Sequence, residues 1–227
     1  ISLVIEVVNE GGDIALMLCC GYQRVKDAFK HLVGLVNCLK SDLKAVILHV
    51  LHEQEGDKVL GQLNWLDIHN RKEDKVKIIF VPCYLDGNDG IFNMHYYDLL
   101  IGNDLTVFPS YYEPWGYTPT ESVAFHVPCV TTDLAGFGLW ANSLKNGMSE
   151  IEDGVKTIHR SDYNFDEVSD SIRDTILKFS QFDKKQVNAA RKNAAKVAEK
   201  ALWKHFIAYY YEAYDNALTK RDERLNK

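Results

Sequence analysis

LTVFPSYYEPWGYTPTESVAFHVPCVTT, residues 105–132, contains in order a short apolar run, an aromatic and glycine-rich loop, a helix-like segment and a second apolar run. Apolar runs of this length on either side of a helix are typical of a βαβ unit in a parallel sheet. Ligands of open α/β sheets bind beyond the carboxyl ends of the strands. The loop between the first run and the helix therefore lies where a ligand site is expected.

The same alternation of apolar runs and helical periodicity continues on both sides of this unit. Strands are predicted at residues 14–20, 45–51, 76–81, 105–108, 127–132 and 155–158. Helices are predicted at residues 25–39, 59–68, 166–179 and 184–218, the last being a long final helix. The pattern predicts an α/β fold, a Rossmann-like parallel sheet with flanking helices, in a single domain over residues 1–227.

Composition agrees with a globular domain and excludes several classes of protein. The chain has 227 residues, 46% of them apolar, which suffices for a sizeable core. A net charge of −6 argues against binding to a nucleic-acid backbone, and no apolar run reaches the about 18 residues of a membrane span. Five cysteines without CxxC spacing are typical of reduced thiols, so we expect a cytoplasmic protein. Ile1 lies within an apolar run, which suggests a piece of a longer protein.

The loop after the fourth predicted strand carries the candidate chemistry. Glu113 and Glu121 are separated by seven residues, and Gly116 between them allows the backbone to approach a ligand closely. Thr118 and Pro119 are typical of the N-cap and first residue of a helix, whose free N–H groups suit a diphosphate. Glu121 would then lie about one turn into that helix, within reach of a ribose. The alternative is that the aromatic residues only pack the loop and that both acids are solvated.

A second glycine-rich loop follows the next predicted strand. In TTDLAGFGLW, residues 131–140, Gly136 and Gly138 again indicate close approach of the backbone. The carboxyl ends of parallel strands lie at one edge of a sheet, so both loops are predicted at the ligand edge.

FPSYYEPWGYTPTES and the VTTDLAGFG that follows it, within residues 108–138, resemble the signature of glycogen synthases of the animal, fungal and Bacteroides-like type. Weaker resemblance covers YLDGNDGIFN at 84–93, GVKTIHRSD at 154–162 and ALWKHFIAYYYEAY at 201–214. Enzymes of this family are retaining glycosyltransferases of the GT-B fold that move glucose from UDP-glucose to an α-1,4-glucan. The resemblance implies that the chain is the carboxyl-terminal half of such an enzyme. It also implies that an amino-terminal domain with further catalytic groups is missing.

The resemblance implies roles for the residues of the first loop. Glu113 matches the first acid of the family's E-x7-E motif and would bind the donor glucose near the reacting centre, as the candidate catalytic residue. Trp115 and Gly116 match residues that line the sugar pocket. Tyr117 and Thr118 match the turn that holds the diphosphate.

The resemblance assigns the nucleoside of the donor to two further positions. Glu121 matches the second acid, which binds the ribose. Tyr96, 17 residues before Glu113, stands where the family places an aromatic residue that stacks on uracil, and its neighbour Tyr97 is the alternative. An aromatic side chain stacked on a base contributes about 1–3 kcal/mol in single-strand binding proteins.

The cations for the phosphates are a departure from the family pattern. The family carries an arginine and a lysine after the first strand, whereas Cys20 stands at the arginine position in CCGYQRVKDAF. Arg24 and Lys26 are the candidate replacements. The alternative is that both are solvated helix residues.

Retention of configuration needs no carboxylate nucleophile in the scheme that the resemblance implies. Helix N–H groups and the basic pair would stabilise the departing diphosphate, while Glu113 positions the sugar. No cofactor or metal is expected, because this scheme needs none. His49 and His52, three residues apart, are better interpreted as structural or solvated than as metal ligands.

Two other functions stay open at the level of sequence. One is a retaining transferase that uses ADP-glucose or another nucleotide sugar, which the YYEPWGYTP string disfavours. The other is a non-catalytic module that binds a nucleotide sugar or a glycan, which the altered basic segment supports. The expected partners are UDP-glucose, an α-glucan and the amino-terminal domain, against which the aromatic final helix is predicted to pack. We expect no nucleic acid or membrane as partner, and no activity of this chain alone.

Overall fold

A computed structural model of the protein describes residues 2–9, 12–19, 57–71, 76–81 and 83–225. The strands are β1 Ser2–Asn9, β2 Gly12–Cys19, β3 Val76–Val81, β4 Leu105–Val107, β5 Cys129–Thr132 and β6 Val155–Ile158. The α-helices are α1 Lys58–Trp65, α2 Tyr96–Leu100, α3 Tyr117–Ala124, α4 Gly136–Ser143, α5 Phe165–Ser180, α6 Lys184–Lys200 and α7 Trp203–Leu225. A short 3-10 helix, Ile151–Asp153, precedes β6.

The predicted helix at 25–39, the predicted strand at 45–51 and the candidate cations Arg24 and Lys26 lie outside the described residues. The other predicted strands all have a counterpart in the sheet, and the predicted helix at 59–68 corresponds to α1.

The sheet has the order β3-β1-β2-β4-β5-β6. Strands β2, β4, β5 and β6 are parallel, as the alternating pattern predicts. Strand β1, which the pattern did not predict, is antiparallel to both β2 and β3. Only two residues separate Asn9 from Gly12, and a parallel crossover needs a dozen or more, so this connection can only join antiparallel strands. The α/β class with a parallel sheet and flanking helices is confirmed, with β1 as one antiparallel strand between β2 and β3.

Two apolar clusters cover the faces of the parallel strands, because successive strand side chains point to opposite sides. In β5, Cys129 belongs to the cluster formed with α3 and α4, whereas Val130 belongs to the cluster formed with α5. In β6, Val155 and Ile158 divide in the same way. Burial raises the pKa of the Cys129 thiol, which keeps it protonated and unreactive.

The helix α5 confirms the predicted apolar stripe. Val168 and Phe179 are buried, and Ile172 and Ile176 pack partly buried beside them in the second cluster. These residues recur at intervals of three and four, so they share one face of the helix. The opposite face carries ion pairs such as that of Arg173 with Asp174 at 2.8 Å.

The predicted single helix at 184–218 is two helices, which is a correction. The helix α6 ends at Lys200, and α7 begins at Trp203 and continues to Leu225. Leu202 N–H donates to Glu199 O at 3.4 Å, an i to i−3 bond that tightens the last turn. Apolar periodicity continues through this break, so the pattern alone does not reveal it. No residue of α7 is buried.

Among the described residues, no helix combines the length and the apolar character that a membrane crossing requires.

Candidate donor site at the carboxyl edge of the sheet

The loops that follow β4 and β5 are joined through their backbones. Glu113 N–H donates to Leu134 O at 3.1 Å, and Gly136 N–H donates to Glu113 O at 3.2 Å. Further along, Phe137 N–H donates to Trp115 O at 2.7 Å. The side chain of Glu113 is exposed. Main-chain bonds therefore set the position of this acid and leave its carboxylate accessible.

The glycines of the second loop are required by contacts within the protein. A Cβ at Gly136 would lie 2.3 Å from Pro114 O, and one at Gly138 would lie 2.0 Å from Thr132 O. Distances this short are not tolerated between a Cβ and a backbone oxygen. The close approach that the sequence indicates is thus an approach to the protein's own backbone.

The helix α3 begins at Tyr117 with Gly116 as its N-cap, which corrects the prediction that Thr118 is the N-cap. Gly116 has φ 98° and ψ 86° and supplies no side-chain cap, and Pro119 is the third helical residue. A left-handed backbone conformation of this kind favours glycine. In addition, a Cβ at 116 would lie 3.3 Å from Pro119 Cγ. The chain therefore turns into the helix two residues earlier than side-chain capping would require.

The first N–H groups of α3 are free to bind a ligand within the part of the chain that the structure describes. No described acceptor takes the N–H groups of Tyr117 and Thr118. The side chain of Tyr117 is 74% exposed. Thr120 Oγ1 donates to Gly116 O at 2.9 Å and accepts from Trp115 Nε1 at 3.0 Å, which fixes the turn. Free N–H groups and the helix dipole together favour an anion at this position.

Glu121 has one bonded and one unbonded carboxylate oxygen. Tyr97 Oη donates to Glu121 Oε1 at 2.7 Å. The other oxygen, Oε2, is buried and has no hydrogen-bond partner among the described residues. A buried carboxylate oxygen without a donor is costly, so a ligand hydroxyl at this oxygen would remove a penalty of about 1–3 kcal/mol.

The two candidate tyrosines for base stacking have different surroundings. Tyr96 has 0% of its surface exposed and belongs to the core, which leaves no free ring face for a base. Tyr97 is partly buried, packs on Phe125 with ring centres 5.0 Å apart and contacts Glu121. The assignment of a stacking residue stays a prediction, and this geometry favours Tyr97 over Tyr96.

Trp115 connects the loop to the end of the chain. Its ring packs against Phe137, Trp140 and Phe206 with centres 5.9, 5.8 and 5.4 Å apart. Phe206 belongs to α7, so this cluster fixes the start of that helix against the loop. The structure therefore brings Trp115 next to the candidate site but gives its ring a packing partner on several sides.

A further group of residues at the same edge was not predicted from the sequence. Asp133 Oδ1 accepts from Arg160 N–H at 2.9 Å, and Asp133 Oδ2 lies 2.6 Å from His159 Nδ1. Hydrogen bonding to Asp133 raises the pKa of His159. Tyr111 Oη donates to Asp162 Oδ1, and this bond raises the pKa of the Tyr111 phenol. Their position directly after β5 and β6 is the signal that could have found Asp133 and His159.

Similarity to known proteins extends over most of the chain and identifies its family. A family model described as glycogen synthase matches residues 26–224. The chain belongs to the glycogen synthase family. It is 31% identical over 172 residues to glycogen (starch) synthase isoform 1 of Saccharomyces cerevisiae, covering 76% of this chain and 24% of that protein. It is 30% identical over 178 residues to glycogen (starch) synthase of Neurospora crassa, covering 78% and 25%. It is 27% identical over 181 residues to the human liver glycogen (starch) synthase, covering 80% and 26%.

The family assignment covers the site but not the whole enzyme. Every candidate residue except Arg24 lies within the range matched by the glycogen synthase model. The chain spans about a quarter of the length of the family members that it matches. The individual roles of Glu113, Glu121 and the residues between them, and the absence of a metal or cofactor, stay predictions.

Proposed function

We propose that this chain is the donor-binding domain of a retaining glucosyltransferase that moves glucose from UDP-glucose to an α-1,4-glucan. Membership of the glycogen synthase family supports this class of reaction. The observation that carries the proposal is the pairing of a helix start with free N–H groups and, one turn on, the buried unpaired oxygen of Glu121. The first suits a diphosphate and the second suits a ribose hydroxyl.

The leaving group is stabilised at the start of α3. Charge develops on the diphosphate as the bond to the glucosyl carbon breaks, and the N–H groups of Tyr117 and Thr118 can donate to it. Donors that are already in place need no reorganisation during the reaction, which is why such groups contribute strongly to catalysis. Arg24 and Lys26 are proposed as the cations that complete this site, in a scheme without a metal or cofactor.

The accessible carboxylate of Glu113 holds the donor glucose. Its backbone is bonded in both directions to the loop after β5, so the side chain extends from a fixed support. This arrangement suits a group that positions a sugar rather than one that attacks it. Tyr97 and Glu121, joined by a hydrogen bond of 2.7 Å, hold the nucleoside at the other end of the donor.

The acceptor site belongs to another part of the full-length protein. We propose that an amino-terminal domain contributes the remaining catalytic groups and the glucan contacts, and that α7 packs against it. Trp203, Tyr209 and Tyr211 of α7 are 58%, 65% and 60% exposed, which is typical of a surface that another domain covers. This chain alone is accordingly expected to bind the nucleotide without extending a glucan. The full-length protein is proposed to act in the cytoplasm, where UDP-glucose is available.

Calorimetric titration of this chain with UDP, ADP and UDP-glucose tests the proposal. We expect UDP to bind at least about tenfold more tightly than ADP, and Glu121→Gln to weaken UDP binding because it removes the charged acceptor. The matched control is Glu212→Gln, an exposed position on α7. Preference for ADP would support an ADP-glucose enzyme instead, and no binding of either nucleotide would support a non-catalytic module.

Replacement of Glu113 tests the catalytic part in the full-length protein. We expect Glu113→Ala to lower glucosyl transfer by about 100-fold or more, in the range for removal of a group that acts in the transition state. Folding should be preserved, because the hydrogen bonds of Glu113 to other described residues are made by its backbone. Transfer within a factor of two of the wild-type rate would remove Glu113 from the site.

A further inference from the structure

We propose that Arg160 is a positioning residue that holds the loop bearing Glu113 in its working conformation. The inference rests on the proposed function of that loop. Arg160 is the second residue after β6, and Arg160 Nη1 donates to Pro109 O at 2.8 Å. The guanidinium carbon lies 4.7 Å from the centre of the Tyr111 ring. One side chain thus contacts the loop at two points that lie just before Glu113 in the chain.

The supports of this contact come from the ends of β5 and β6 and the residues that follow them. Arg160 N–H is bonded to Asp133 after β5, which fixes the start of the arginine side chain. Tyr111 Oη is bonded to Asp162, so the ring under the guanidinium is held at its other end as well. Thr132 Oγ1 donates to Ser110 O at 2.6 Å, between the two arginine contacts. Residues 109–111 are therefore held to the ends of both β5 and β6.

The type of residue matches the task. A guanidinium is planar, so it can stack on a tyrosine ring while its N–H groups donate within its own plane. A lysine at 160 could reach the Pro109 carbonyl but could not stack in this way. The Arg160 side chain bonds a carbonyl rather than a carboxylate here, so its role is to hold the loop backbone.

The loop that Arg160 holds is distinct from the start of α3. The N–H groups of Tyr117 and Thr118 are oriented by the turn at Gly116 and by Thr120. Among the described residues, Arg160 instead bonds Asp133 and Pro109. Loss of Arg160 should therefore loosen Glu113 while leaving nucleotide binding in place. In kinetic terms, kcat should fall while KM for the donor changes little.

The test uses Arg160→Ala, Arg160→Lys and the control Arg173→Ala. Arg173 is 58% exposed and forms ion pairs with Asp170 and Asp174 on the surface of α5. In the full-length protein we expect Arg160→Ala to lower kcat by at least about tenfold, because small displacements at a reacting centre cost up to about 100-fold. KM for UDP-glucose should stay within about threefold, Arg160→Lys should recover part of kcat, and Arg173→Ala should match the wild type.

A second readout is independent of activity. Amide hydrogen exchange at Glu113, whose N–H is bonded to Leu134 O, should become at least about tenfold faster in Arg160→Ala. Exchange within α5 should not change. Tyr111→Leu removes the stacked ring at a 53% exposed position and should shift both readouts in the same direction, so the test survives if Arg160→Ala does not fold.

The outcomes separate the two proposals. A wild-type protein that transfers no glucose would contradict the proposed function, and hydrogen exchange alone would then decide whether Arg160 holds the loop. With an active wild type, an unchanged kcat in Arg160→Ala overturns the inference whatever the exchange rates are. A reduced kcat with unchanged exchange at Glu113 also overturns it, since Arg160 would then act directly on the substrate.

Discussion

The helices α3 and α6 begin in opposite ways. At the start of α6, Asp183 accepts from Gln186 N–H at 2.8 Å, and the Gln186 side chain accepts from Asp183 N–H at 2.9 Å. This closed capping box satisfies the helix start within the protein. At the start of α3, Gly116 supplies no side chain, and the N–H groups of Tyr117 and Thr118 stay without an acceptor among the described residues.

The difference shows which helix start is structural and which is available to a ligand. A side-chain cap is worth about 1 kcal/mol to a helix, so its absence at α3 lowers stability unless something else binds there. The left-handed conformation of Gly116 adds a position that most other residues could occupy only with strain. Both features are explained if an anionic substrate completes the start of α3.

Gly116→Ala, at the start of α3, is expected to have the largest effect on stability and on UDP affinity. The added Cβ lies 3.3 Å from Pro119 Cγ and sits on a backbone with φ +98°. We expect the free energy of unfolding to fall by about 1–3 kcal/mol and UDP affinity to fall by at least about tenfold. Chemical denaturation and calorimetry measure the two quantities.

Another glycine separates strain from crowding. Gly147 has φ +82°, and an added Cβ would meet nothing within 4 Å. We expect Gly147→Ala to cost only the about 1 kcal/mol of an unfavourable φ, with UDP affinity unchanged. A Gly116→Ala variant that behaves like Gly147→Ala in both measurements would mean that the turn before α3 has no special role.

A medium effect is expected at the other helix start. Asp183→Ala removes the capping box of α6 and should lower the free energy of unfolding by about 1 kcal/mol, while Asp183→Asn keeps an acceptor and should cost less. UDP affinity, measured by calorimetry at a temperature where both variants are folded, should not change. A marked loss of UDP binding in Asp183→Ala would show that the starts of α3 and α6 are coupled.

The smallest effect is expected for the hydrogen-bonded pair of Asp133 and His159. Hydrogen bonding to Asp133 raises the pKa of His159 in the folded protein. The pair therefore stabilises fully below the ordinary histidine pKa of about 6.5, and this contribution is lost as pH rises through the raised value. In an NMR titration, Asp133→Asn should lower the His159 midpoint toward its ordinary value. An unchanged midpoint would show that the pair does not form in solution.

Local patterns predicted the elements whose cause is local. The stripe of Val168, Ile172, Ile176 and Phe179 predicted α5, and short apolar runs predicted β4, β5 and β6. The division of the last helix at Ala201 was not predictable in this way. Helical periodicity continues across it, and what accompanies the break is the packing of Phe206 on Trp115 and Trp140, which are far away in sequence.

The candidate site likewise has features that the local sequence shows and features that depend on distant residues. Residue types and spacing located Glu113 and Glu121, and the loop as a whole, because an acid and a glycine-rich turn after a strand are visible in sequence. The start of α3 was placed two residues too late, since Thr118 and Pro119 form a good cap in isolation and the conformation of Gly116 depends on its neighbours. Arg160 was missed because Pro109, whose carbonyl it binds, lies 51 residues away.

The sequence by itself determined the βαβ order, the chemical groups of the loop after β4 and, through its resemblance, the glycogen synthase family. Only the tertiary structure decided that Tyr96 is buried while Tyr97 reaches Glu121, and that Arg160, which follows β6, contacts Pro109 and Tyr111, which follow β4. The physical reason is that periodicity and propensity report interactions between near neighbours. Burial and hydrogen-bond partners depend on which distant segments the fold brings to the same edge of the sheet.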